Sequence, residues 1–169
     1  MTHYSVIHQL QQMYFPVHAI LAASHILFLP AFHQVALCLH AGYQLHVVTL
    51  FLLINVVFWS TLMHLSETKK GLLPANPCLV RYSNVFLNFD RLFAVTASVY
   101  GCLFLGLSHH TSKLFKLFFI GFLFSALGEW FGARWKWIPY VVLHLIWHGL
   151  VAYIAYQSIV ISCNPSLTS

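Results

Sequence analysis

The feature that most constrains this chain is a series of apolar stretches, each about twenty residues long. A bilayer core of about 30 Å requires about 20 mostly apolar residues in a helix. Such stretches fold as helices because backbone polar groups in hydrocarbon must be satisfied within the segment. The sequence contains five of them, at about 15–39, 43–65, 84–107, 114–131 and 137–160. We therefore predict an all-α, polytopic transmembrane helix bundle that forms a single domain over residues 1–169.

The positions of two prolines affect the predicted number of helices. Pro30 lies within the first stretch and predicts a kink or a break there. If that break opened a hairpin, the chain would have six helices, but each half would be short for a bilayer. Pro139 lies in the first turn of the fifth helix, where its missing N–H is tolerated. Five helices is the favoured count.

The composition agrees with a membrane protein and excludes a soluble domain or a nucleic-acid-binding protein. The chain is 60% hydrophobic and 7% charged, whereas a soluble domain carries about 25% charged residues. Eight Lys and Arg outnumber three acids, but they are spread over short loops, which indicates membrane topology and no nucleic-acid partner. The four cysteines, Cys38, Cys78, Cys102 and Cys163, have no CxxC spacing and are expected to be small apolar residues or free thiols without a disulfide framework.

The distribution of basic residues predicts an orientation. We call the end of the bundle where the second helix finishes end A, and the opposite end, end B. Near end A lie Lys69, Lys70, Arg81, Arg91, Arg134 and Lys136, whereas end B has only Lys113 and Lys116. The positive-inside rule makes end A and the N-terminus of this multi-pass protein cytoplasmic. Glu67 and its neighbouring lysines are expected to form a solvated patch at the lipid headgroups.

Polar side chains in three predicted helices lie at a similar depth from end A. His144 and His148 are four residues apart and share one face of the fifth helix. Ser60 and His64 share a face near the end of the second helix, and Asp90 is about two turns inside the third. An ionisable residue inside the membrane is a functional-site hypothesis by default. Three imidazoles with one open position are the ligands of a catalytic zinc ion.

This set resembles the pattern of the CREST superfamily of membrane hydrolases. That group includes alkaline ceramidases, the adiponectin and progestin receptors, lipid-remodelling proteins that act on GPI anchors, and myomaker-like proteins. The matching residues are Ser60, His64, Asp90, His144 and His148, in the family's order. The resemblance implies that the three histidines bind Zn²⁺ and that Asp90 and Ser60 flank the zinc-bound water as catalytic residues. It also implies hydrolysis of an amide or ester bond in a membrane lipid at the cytoplasmic side, with the bilayer and its lipids as partners.

The chain departs from that family in two respects. Members usually have seven helices, and this chain has room for five, or six at most. The acidic N-terminal calcium site of the ceramidases is absent, and Arg91 follows Asp90 where ceramidases carry a further acid. A ceramide substrate is therefore not expected.

Other interpretations of the histidines remain open. They can form hydrogen bonds between helices, or hold a zinc ion that ties helices together in a non-enzymatic, receptor-like or assembly protein. A fourth protein ligand would favour such a structural zinc site. His18 and His25 share a face of the first helix, and His18 with His148 could ligate a haem in a membrane electron carrier. The haem interpretation gives Ser60 and Asp90 no role. The oligomeric state is not predicted.

Overall fold

The computed structural model describes residues 17–67, 76–104, 109–134 and 136–164. Within these residues the chain is all-α and contains no strand, which confirms the predicted fold class. The five long helices are α1 (Val17–His40), α2 (His46–Ser66), α3 (Ser83–Phe104), α4 (His109–Gly132) and α5 (Trp137–Cys163). A short 3-10 helix, Pro77–Tyr82, leads directly into α3.

Helix α1 is continuous but has a 3-10 turn in its middle. The turn covers Ser24–Phe28, and an α-helical segment, Leu29–His40, follows it without a gap. Pro30 lies in the first turn of that segment, where a residue without an N–H is tolerated. The described chain therefore does not fold back at Pro30, and the alternative with a sixth helix is wrong for this part of the molecule.

Four of the helices are long and apolar enough to cross a membrane, which is the composition of a membrane protein. The four spans are Val17–His40, His46–Ser66, Ser112–Gly132 and Trp137–Cys163. The described part of α3 is not among them. Its first turns contain Asn84, Asn88, Asp90 and Arg91, which lower its hydropathy. The structure thus contains the five predicted long helices, and four of them meet the length and hydropathy of a membrane span within the described residues.

Helix α1 lies at the centre of the bundle. It packs against α2 and α5, while α3 packs on the outside of α2 and α4 on the outside of α5. The apolar core forms where α1, α2 and α5 meet. Its buried residues are Phe28, Ala31, Val35, Cys38, Leu53, Ala152 and Ile159. Polar side chains of the same three helices lie on either side of this core along the bundle axis.

A tight turn joins α1 to α2 at end B. The Tyr43 N–H donates to the Cys38 carbonyl and the Gly42 N–H donates to the Leu39 carbonyl, each at 3.0 Å. This is the Schellman pattern, which needs a residue in the left-handed conformation just after the helix. Gly42 supplies it with a φ of 91°. Because the turn is so short, the last turn of α1 lies next to the first residue of α2, His46.

Two glycines of α4 let it approach α5 closely. A Cβ atom on Gly121 would lie 2.9 Å from Cε3 of Trp147, and one on Gly128 would lie 3.4 Å from Cβ of Leu143. Small residues at close contacts are typical of packed membrane helices. The contact fixes one side of α5 against α4, so that the neighbouring face of α5 is available to α1 and α2.

Candidate metal centre

Three buried histidines from three helices meet in the half of the bundle nearer end A. His25 lies in the 3-10 turn of α1, His64 in the last turn of α2, and His148 in α5. One nitrogen of each lies within 4.8 Å of one nitrogen of the others. The exposed fractions of the three residues are 7%, 0% and 5%. This group of side chains could hold a metal ion.

His144 lies beside this group. Its ring centroid is 4.8 Å from that of His64 and 4.8 Å from that of His148. The structure thus brings the predicted ligands His64, His144 and His148 into ring contact. However, the group whose nitrogens all lie within 4.8 Å of each other contains His25 and not His144.

The predicted set of ligands does not contain His25. Its distance from end A along α1, however, is similar to that of the predicted ligand His144 along α5. His25 lies eight residues after the start of α1 at Val17, and His144 lies seven residues after the start of α5 at Trp137. Both helices begin at end A, so the two histidines lie at a similar depth. If the distance of each histidine from end A had been compared in all five helices, His25 would have been included among the predicted ligands.

Hydrogen bonds determine which nitrogen of His25 carries the proton. Its Nδ1 lies 2.9 Å from the carbonyl oxygen of Ala22, which can only accept. Nδ1 is also 3.1 Å from Oγ1 of Thr61, whose own hydrogen is donated to the Val57 carbonyl at 2.7 Å. Both contacts require an N–H at Nδ1. Neutral His25 therefore keeps its lone pair on Nε2, where it can bind a metal.

Ser24 orients His148 in a similar way. The Ser24 hydroxyl donates to the Leu21 carbonyl at 2.6 Å, and its oxygen lies within hydrogen-bonding distance of Nδ1 of His148. With the hydroxyl hydrogen on Leu21, the oxygen accepts from Nδ1, and the lone pair of His148 is on Nε2. Histidines that bind metals usually donate their other N–H to such a partner, which fixes the ring. His25 and His148 both have this arrangement.

His64 is completely buried, and its ring makes no hydrogen bond with the described residues. Neither of its ring nitrogens has a hydrogen-bond partner among the residues that the structure describes. Oε2 of Glu67 is 3.6 Å from Nδ1 of His64, which is too long for a hydrogen bond. Leaving a buried polar group unsatisfied costs about 1–3 kcal/mol. A metal bound by His64 would remove that cost, so this residue favours the metal interpretation over simple hydrogen bonding between helices.

Ser60 and Asp90, the predicted catalytic residues, lie together beside the histidines. Ser60 is one turn before His64 and 7% exposed, and Asp90 is half-buried on α3. The Ser60 hydroxyl and the His64 ring are both close enough to the Asp90 carboxylate to interact with it. The arrangement therefore adds a carboxylate and a hydroxyl to the three imidazoles.

Glu67 is not the solvated residue that the sequence suggests. Its side chain is 13% exposed, and its carboxylate accepts a hydrogen bond of 3.0 Å from the hydroxyl of the buried Tyr140. The ring of Tyr140 lies 5.5 Å from that of His144. Lys69 and Lys70, the expected neighbours of Glu67, lie outside the described residues. Glu67 belongs instead to the polar cluster around His64.

The rings of His25, His64 and His148 contact each other directly, so none of these pairs has the geometry of haem axial ligands. The centroids of His25 and His148 are 4.7 Å apart, and those of His64 and His148 are 5.3 Å apart. Because a haem lies between its two axial ligands, these contacts leave no space for the macrocycle between any of these pairs. They do not test the pair His18 and His148, on which the haem interpretation is based.

Comparison of the chain with protein-family models, with curated proteins and with solved structures gives no match. The resemblance to the CREST superfamily therefore depends on the short motifs alone. Any assignment of function has to be argued from the side chains and their geometry.

Proposed function

We propose that this protein is a zinc-dependent membrane hydrolase that cleaves an amide or ester bond in a lipid. The observation that carries the proposal is the group of three buried imidazoles, His25, His64 and His148, within ligand spacing of one another. Three histidine ligands with one open position are typical of catalytic zinc. The Asp90–Ser60 pair lies next to this group, where a catalytic carboxylate is needed.

Each side chain of the proposed site has a separate chemical role in hydrolysis. A bound zinc ion would polarise a substrate carbonyl and acidify water at neutral pH. Asp90 is placed to take a proton from an attacking water and to return it to the leaving amine or alcohol. Ser60 would orient the Asp90 carboxylate by donating its hydroxyl to it. Three neutral imidazoles leave the full charge of the ion in a region of low dielectric, so the negative Asp90 also offsets part of that charge.

An open apolar groove next to the histidines supports a lipid substrate. The groove lies on the surface between α1 and α2 and has a volume of about 370 Å³. It is lined by Phe32, Ile54, Val57, Phe58, Thr61 and Leu62. Thr61 also accepts the hydrogen bond from His25, so the groove adjoins the proposed zinc ligands. An acyl chain of a membrane lipid is the ligand that an open apolar groove at the surface of a membrane helix bundle suits best.

We further propose that end A faces the cytoplasm. Arg81, Arg91, Arg134 and Lys136 are exposed near end A, against Lys113 and Lys116 near end B. An excess of basic residues marks the cytoplasmic side. Cys78 is exposed in the connection between α2 and α3 at end A. A membrane-impermeant thiol reagent should label Cys78 only after cells are permeabilised, and a Cys78→Ser variant is the control. Equal labelling of intact cells would reverse the orientation.

Metal analysis of protein purified without reductant tests the site directly. We expect about one zinc ion per chain, and nearly complete loss of zinc in His148→Ala, because one of three ligands is missing. His33→Ala, on the exposed side of α1, is the matched control and should keep the metal. In parallel, release of fatty acid from acyl amides and acyl esters in mixed micelles should follow the zinc content. Equal zinc in all three proteins, or none in the parent, would contradict the proposal.

A closed, structural zinc site in a non-enzymatic protein is the second candidate. The observation that favours it is the contact of the His144 ring with both His64 and His148. If His144 were a fourth ligand, the site would have no open position. His144→Ala distinguishes the two candidates. In the hydrolase zinc is retained in this variant, whereas in a closed four-histidine site zinc affinity falls sharply and no lipid is cleaved by the parent protein.

A further inference from the structure

A second cluster of possible metal ligands lies at end B, away from the three histidines. Cys38 is in the last turns of α1, His46 is the first residue of α2, and Cys163 is the last residue of α5. One ligand atom of each lies within 4.8 Å of the others. The distance along α5 from His148 to Cys163 is about 22 Å at 1.5 Å per residue. The cluster is therefore separate from the proposed hydrolase site.

The two cysteines are joined by a disulfide in the structure. This pairing corrects the expectation that the cysteines are unpaired. Cys38 is 2% exposed and His46 is 1% exposed, while Cys163 is half-buried. The disulfide ties the end of α1 to the end of α5, two helices that are separated by 125 residues in the sequence.

The ring of His46 lies next to the disulfide, with its two nitrogens near possible hydrogen-bond partners or ligands. Its Nε2 lies 3.0 Å from Sγ of Cys163 and 3.3 Å from Oγ of Ser162. Its Nδ1 lies 3.3 Å from Oγ1 of Thr49. The Ser162 hydroxyl donates to the Ile159 carbonyl at 2.9 Å, so in the oxidised protein Nε2 carries the proton that Ser162 accepts. Metal binding in the reduced protein would use the other tautomer, with the Nδ1–H donated to Thr49 and the lone pair of Nε2 toward the sulfur atoms. This is the usual arrangement of a histidine ligand, with one nitrogen held by a neighbour and the other facing the metal.

We propose that Cys38, His46 and Cys163 form a zinc site in the reduced protein, and that the disulfide closes this site when the protein is oxidised. Zn²⁺ is commonly bound by thiolates and imidazole in a tetrahedral arrangement. Two thiolates and a neutral imidazole give a complex with no net charge, which is favourable in a buried position. The sulfur atoms of a disulfide carry no such charge, so the two states exclude each other.

The conversion balances with a dithiol as reductant. The dithiol transfers two electrons and two protons to the disulfide, which becomes two thiols, while the dithiol becomes a disulfide. Binding of Zn²⁺ then releases the two thiol protons, because thiolates are the metal ligands. The fourth position is left for a water molecule or for the Ser162 hydroxyl. In tetrahedral coordination the sulfur atoms must separate by only about 2 Å relative to the disulfide, which small side-chain rotations allow.

Cobalt titration tests this proposal because Co²⁺ bound to thiolates shows a charge-transfer absorption that Co²⁺ bound only to histidines does not. Metal-free protein in detergent is titrated with Co²⁺ in two forms, one oxidised and one reduced with a dithiol that is then removed without oxygen. We expect the thiolate band in the reduced form alone, and its loss when two equivalents of Zn²⁺, one for each proposed site, are added. No band in the reduced form would overturn the proposal.

Variants assign the band to these residues. Cys38→Ser and Cys163→Ser should each abolish the normal two-thiolate spectrum, and His46→Gln should weaken Co²⁺ binding at least about tenfold. The double variant Cys78→Ser/Cys102→Ser, which lacks the other two cysteines of the chain, should keep the band. His64→Gln should also keep it, since that residue belongs to the other cluster. An unchanged band in Cys38→Ser would overturn the proposal, and circular dichroism checks that each variant is folded.

Discussion

The Ser24 hydroxyl of α1 contacts Nδ1 of His148 on α5, so a residue of one helix determines the proton position on a residue of another. The same turn of α1 holds Nδ1 of His25 through the Ala22 carbonyl. The 3-10 turn Ser24–Phe28 thus contributes one proposed ligand and orients a second. If the proposed site binds zinc, this relationship makes its affinity depend on residues that do not contact the ion.

Ser24→Ala should lower zinc affinity without removing the site. Loss of the hydrogen bond leaves the His148 ring less well fixed, and changes of this kind typically cost about 10–100-fold in metal affinity. Competition with a chromophoric chelator measures the effect. Ser98→Ala on α3 is the control, because within the described part of the chain its hydroxyl bonds to the Ala94 carbonyl of its own helix and to no histidine. An affinity equal to that of the parent would remove Ser24 from this role.

Asp90→Asn should keep the zinc ion and lose hydrolysis. The amide preserves the size of the side chain and can still bond to Ser60, but it cannot accept a proton. General acid–base groups contribute about 10²–10⁴-fold to a rate, so we expect a loss in that range. Zinc content and fatty-acid release are measured on the same preparations. Turnover at the parent rate would exclude Asp90 as the general base.

Tyr140→Phe should destabilise the end-A half of the bundle through Glu67. The Tyr140 hydroxyl donates to a mostly buried carboxylate, and hydrogen bonds to charged groups are worth about 1.5–3 kcal/mol. Thermal unfolding of Tyr140→Phe, Glu67→Gln and the double variant forms a double-mutant cycle. We expect a coupling energy of about 1 kcal/mol or more. Additive effects of the two substitutions would mean that the contact contributes little.

Gly121→Ala should loosen the packing of α4 on α5. The added Cβ would lie 2.9 Å from Trp147, and overpacking of this kind costs about 1–3 kcal/mol. Gly149→Ala is the matched control on α5, since its Cβ would meet nothing within 4 Å. That substitution should be neutral or slightly stabilising, because alanine favours a helix by about 1 kcal/mol over glycine. Similar midpoints of unfolding for both variants would contradict this reading of the contact.

The apolar stretches were sufficient to predict the helices, because the length of a membrane span and the hydropathy of its residues are local properties. They were also sufficient to place Ser60, His64, Asp90, His144 and His148 at one end of the bundle. His25 could not be predicted as a ligand in the same way, because that prediction requires knowing that α1 lies between α2 and α5. Neighbour relations among helices depend on packing contacts, such as that of Gly121 with Trp147, which leave no periodic signal in the sequence.

The Cys38–Cys163 disulfide could not be predicted either, because it also depends on which helices are neighbours. Neither cysteine belongs to a motif, and 125 residues separate them. Pairing of isolated cysteines cannot be deduced from their spacing. A weaker signal was available, since both residues lie at the end-B limits of apolar stretches. Glu67 is a comparable case: its adjacent lysines indicated a solvated residue, whereas the start of α5 places Tyr140 next to its carboxylate.

The central position of α1 has a consequence for how this protein can vary among species. His25 and Cys38 lie in the same helix and face different clusters, so their separation is fixed by the geometry of the helix. One inserted or deleted residue between them would turn Cys38 by about 100° and shift it by about 1.5 Å relative to His25. Insertions and deletions should therefore be excluded from this interval and tolerated in the connections between helices. The spacing of these two residues is a search pattern for homologues whose overall sequence has diverged.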